Sequence, residues 1–168
     1  MGMFPRLFGH QMKYDESVKK LVPGAHILAV SSFTKFLDSY TELRNVDPKE
    51  WDFFVTVAGI SVGLMALSDK VRNTSEYNRL TTILSAEIVK WDKRGESALR
   101  DLVAVMTKYR EEMMHLPPDE ATKMLATMIG GWCLANLKLK LPRERPSKLM
   151  TELGMFLIVS FHDWWSFK

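Results

Sequence analysis

The chain has 168 residues, 46% hydrophobic and 26% charged, with a formal net charge of +3. This balance is that of a globular domain able to bury roughly 70% of its unfolded surface, and it excludes a disordered tail or a collagen-like repeat. Nine Gly and seven Pro are too few for a turn-rich β-sandwich, and the lone Cys133 excludes an internal disulfide and cysteine-based metal sites.

The start, Met1-Gly2-Met3-Phe4-Pro5-Arg6, lacks the apolar core of a secretory signal and has Arg6 where a myristoylation pattern wants Ser or Thr. The expectation is a cytoplasmic chain forming one helical domain over 1–168, with 1–20 as a loosely attached arm. Three uncharged stretches, 21–34, 53–68 and 124–137, reach at most 16 residues. A transmembrane helix needs roughly 20 apolar residues, so these read as core helices. Peripheral membrane contact stays open.

The first helix is expected over 23–44, with Ala29, Phe33, Phe36, Leu37 and Tyr40 on one stripe and Ser31, Lys35, Asp38 and Glu42 on the other side. Asp47-Pro48-Lys49-Glu50 carries a cap, a first-turn proline and a Glu placed to reach back, and it opens a second helix over 48–71. Asn73-Thr74-Ser75-Glu76 opens a third over 75–93, where Tyr77, Leu80, Leu84, Ile88 and Trp91 recur at helical spacing. Gly95 breaks the chain before a fourth helix, 96–115, striped by Leu99, Leu102, Met106, Tyr109 and Met113. Pro117-Pro118-Asp119-Glu120 opens 118–140, and Pro146-Ser147 opens 146–165. The fold class is therefore all-α, a bundle of about six helices. Segments 51–68, 124–137 and 153–165 are apolar nearly all round and are expected to be central.

Gly59-Ile60-Ser61-Val62-Gly63 matches the G-x-S-x-G pattern of a nucleophile elbow, in which Ser61 would attack with His162 or His115 as base. That chemistry needs a strand–turn–helix corner. Here the capped start at Pro48 leaves Ser61 inside a helix, and the two glycines, four apart, read as a place where another helix comes close. Glu112 and His115 have the Glu-x-x-His spacing of di-iron bundles, but the motif occurs once where two copies are needed. No catalytic residue, metal site or cofactor is assigned.

Lys138, Lys140, Arg143, Arg145 and Lys148 face only Glu144, a local charge of +4 in a chain whose net is +3. A basic pI near 9.0 thus comes from one connection, without interleaved aromatics, which makes nucleic acid an improbable partner. Eleven Met and the C-terminal Phe161, Trp164, Trp165 and Phe167 supply adaptable and aromatic surface, with Trp164 and Trp165 as candidate anchors that dock onto this chain or onto another. The expected function is a non-enzymatic module binding a protein partner or a second copy through a Met/aromatic face beside the basic connection. The alternative is an interhelical pocket for an apolar small molecule or lipid, lined by Met65, Met124, Met128 and Trp132.

Overall fold

A computed structural model describes residues 4–139 and 147–166, with side chains from residue 13 onward. The described residues form seven α-helices and no strand: α1 Phe4–Ser39, α2 Pro48–Lys70, α3 Thr74–Trp91, α4 Gly95–Lys108, α5 Arg110–Met114, α6 Pro118–Asn136 and α7 Lys148–Phe161. A short 3-10 helix, Thr41–Asn45, joins α1 to α2. The chain is an all-α bundle.

The caps form where the sequence places them. Asp47 accepts from the Lys49 amide at 2.9 Å, Asn73 from Glu76 at 3.0 Å and Ser147 from Met150 at 3.2 Å, each satisfying an amide left open at a helix start. The return leg expected from Glu50 is replaced: its carboxylate takes Arg94 at 3.1 Å, tying the start of α2 to the turn before α4. At its other end α6 stops on Lys138, whose φ of 59° is left-handed. The amides of Lys138 and Leu139 turn back to the carbonyls of Ala135 and Leu134, closing the helix as a Schellman motif without the usual glycine.

Two expectations are corrected. Helix α1 runs from Phe4 straight through Pro23, so the described part of 1–20 is helical, and Asp15 forms a two-pronged ion pair with Arg79 of α3 at 2.7 and 2.9 Å. A proline inside a helix costs about 3 kcal/mol. Burial of Val18, Leu21, Val22, Ala25 and Ala29 on both sides of Pro23 outweighs that cost, since each large apolar side chain contributes about 1.5–3 kcal/mol. The expected helix 96–115 is two helices, broken at Tyr109 (φ −102°, ψ 6°), where a 3-10-type bond to Met106 at 3.3 Å tightens the turn.

Helix α2 is the centre of the bundle and touches every other helix except α5. It is long and apolar enough to span a membrane, with a mean hydropathy of 1.6 in its best window, yet 67% of that window is buried by the neighbouring helices. Of the other two helices expected to be central, α6 touches α2, α4, α5 and α7. Helix α7 instead lies at the edge: it packs on α6 and α2, meets α1 through side chains such as Phe156 on Phe36, and leaves Val159 64% exposed. The α6–α7 seam is the tightest in the fold. A methyl group on Gly130 would lie 1.8 Å from the Met150 carbonyl oxygen, and one on Gly154 would lie 1.8 Å from that of Ala126.

Candidate functional site

Gly59 and Gly63 sit in the middle of α2, far from any strand–turn–helix corner. A side chain on Gly59 would strike Phe161 at 2.8 Å, and one on Gly63 would strike Leu21 at 2.8 Å, so both glycines serve close packing. Ser61 between them is fully buried and donates to the Ala58 carbonyl at 2.7 Å. His162 contacts the carbonyls of Ile158 and Val159 and the Asp163 carboxylate, and neither it nor His115, which caps α5, is bonded to Ser61. Burial drives the Cys133 thiol far above its ordinary pKa, which removes it as a nucleophile. Among the described residues no three His, Cys, Asp or Glu side chains converge as a metal site.

The aromatic tail folds back on its own chain. Trp165 is buried, donates its indole N–H to the Gly63 carbonyl at 2.7 Å and stacks on Tyr14. Trp164 donates to the Ser17 carbonyl at 3.1 Å, and its ring fills the space that a side chain at residue 24 would need. Of the basic residues, Lys148 opens α7 and pairs with Glu152 at 3.2 Å, while Lys138 ends α6. Lys140, Arg143 and Arg145 lie outside the described residues.

The opposite side of α2 opens into a cleft of about 620 Å³. Its walls are Leu64 and Met65 of α2, Val103 and Met106 of α4, Met113 of α5 and Leu125 of α6, with Ser61 in the floor. The mouth carries Ser68 and Asp69 at the end of α2, Tyr77 of α3, Thr107 of α4 and Arg110 of α5. Burial raises the Tyr77 phenol above its ordinary pKa, so the hydroxyl stays protonated and able to donate.

Of the four expected pocket residues only Met65 is among those lining this cleft. Trp132 is committed elsewhere, edge-on to Phe54 and donating to Asp101 at 2.8 Å, and Met128 packs against the core. Met106 lines the cleft from α4, and Met113 joins it from α5, beyond the break at Tyr109. No proline or glycine at that position signals the break, so the sequence reading drew its pocket from Met65 of α2 together with Met124, Met128 and Trp132 of α6.

A second groove, about 530 Å³, runs between α1 and α7 and is lined by Lys35, Phe36, Tyr40, Met155, Phe156 and Val159, among others. Tyr40 hydrogen-bonds Glu152 across it, and burial together with that carboxylate pushes the phenol up to about 12.

No protein-family model, curated protein or solved structure matches this chain.

Proposed function

We propose that this domain is a binding module whose cleft between α2, α4, α5 and α6 takes an elongated apolar small molecule. The observation that carries the reading is the cleft's composition: about 620 Å³ with apolar walls and polar groups gathered at the mouth. Small-molecule sites typically offer about 300–1,000 Å³, mostly apolar, with a few polar groups that fix orientation. Three of its six wall residues, Met65, Met106 and Met113, are Met, and flexible thioethers adapt to ligands of varied shape.

Native mass spectrometry of the purified chain tests this. A stoichiometric adduct, retained by the parent and lost in Leu125→Trp, which plugs the cleft, supports the reading. An adduct that survives the plug, or none after incubation with octyl-chain ligands, overturns it.

A second reading is association with a protein partner, or with another copy, in a cytoplasmic setting. It is supported by α7, whose outer side leaves Met155, Phe156 and Val159 along the α1–α7 groove, directly after the basic connection. Here the same spectrum gives a dimer, and Val159→Asp returns it to a monomer. With Trp164 and Trp165 folded inward, this surface relies on α7 rather than on the tail.

A further inference from the structure

The cleft's mouth also specifies a head group, an inference that rests on the ligand-binding reading above. Asp69 and Arg110 both line it, and their charges are opposite. Among the described residues neither side chain makes an ion pair or hydrogen bond, so the two do not neutralise each other. The Tyr77 hydroxyl likewise has no protein partner among the described residues, although the ring is half-buried.

A ligand with one charge is drawn to one of these groups and repelled by the other. A head group whose anion and cation are held a few bonds apart meets both. Helix ends reinforce the same assignment: Asp69 stands at the C-terminal end of α2, where the helix dipole favours a cation, and Tyr77 stands near the N-terminal end of α3, where it favours an anion. We propose that the cleft takes a single-chain zwitterionic amphiphile. Its chain lies against Leu64, Met65, Met106 and Leu125, its anionic group accepts from Arg110 and Tyr77, and its cationic group faces Asp69.

Isothermal titration of the full chain with four octyl probes below their micellar concentrations tests this: octylphosphocholine, octanoate, octyltrimethylammonium and octyl glucoside. The expected result is that octylphosphocholine binds about fivefold or more tightly than each of the others, since each exposed charge contact contributes roughly two- to fivefold. Arg110→Gln should move the preference toward octyltrimethylammonium and Asp69→Asn toward octanoate, with circular dichroism unchanged because both residues are exposed. Equal binding of octyl glucoside and octylphosphocholine overturns the head-group assignment and leaves the cleft as an apolar site. Variants that weaken all four probes alike overturn it too. If none of the four binds, the cleft reading itself falls.

Discussion

The two sides of α2 are built to opposite specifications. Toward α1, the C-terminal turn and, one layer further, the α6–α7 seam, glycines let neighbouring atoms approach until no methyl group fits, and the indole of Trp165 is fixed to the Gly63 carbonyl at 2.7 Å. Toward α4 and α5 the same helix presents Leu64 and Met65 to a cleft, and α5, which has no buried residue, covers part of its mouth with Met113 and Arg110. A sealed side confers stability because interiors tolerate little change in volume. An open side with flexible side chains contributes less to stability and can accept a ligand.

That contrast is broken most directly at Gly154. Gly154→Ala drives a methyl into the Ala126 backbone, which cannot rotate away, and should cost about 3 kcal/mol or more in urea unfolding, whereas Met113→Ala should cost less than about 1 kcal/mol. Comparable losses at the two positions would erase the distinction. Trp165→Phe removes the indole N–H and leaves part of the ring's buried site empty; a loss of about 1–3 kcal/mol or more is expected in the same assay, and none would mean the tail is not anchored.

Smaller effects sharpen the picture at the bundle's edges. Lys138→Gly relieves the left-handed backbone after α6 and should raise the unfolding free energy by about 0.5–1 kcal/mol; a decrease would place the Lys138 side chain in a contact that matters. Hydrogen bonds from Arg94 hold the Asp92 carboxyl below its ordinary pKa of 3.8, despite the opposing effect of burial. Its stabilisation is therefore present above pH 4 and lost as pH falls through the lower folded value. Thermal melts should show a shallow acid-side decline that flattens in Asp92→Asn, and an unchanged slope in that variant would assign the decline to other carboxylates.

The parts of this fold readable from the sequence are those set by local chemistry. Asp47, Asn73 and Ser147 cap helices because their oxygens reach amides two or three residues on, and the stripe Leu80, Leu84, Ile88 is buried on one side of α3. What escaped depended on distant packing. Pro23 looks like a helix boundary until five buried neighbours hold the helix together around it, and Tyr109 carries no turn residue to mark its break. The cleft followed the second of these: Met65 was recognisable as a pocket residue, but Tyr77 and Arg110 join it only through the arrangement of α3 and α5.

The central claim is that one side of α2 is a ligand site while the other is sealed, and methionine-methyl NMR during an octylphosphocholine titration reads both at once. Met65, Met106 and Met113 line the cleft, Met150 packs at the α6–α7 seam and Met155 lines the other groove. The account predicts saturable shifts at the first three and a still signal at Met150. Shifts confined to Met155, or spread equally over all five, would contradict it.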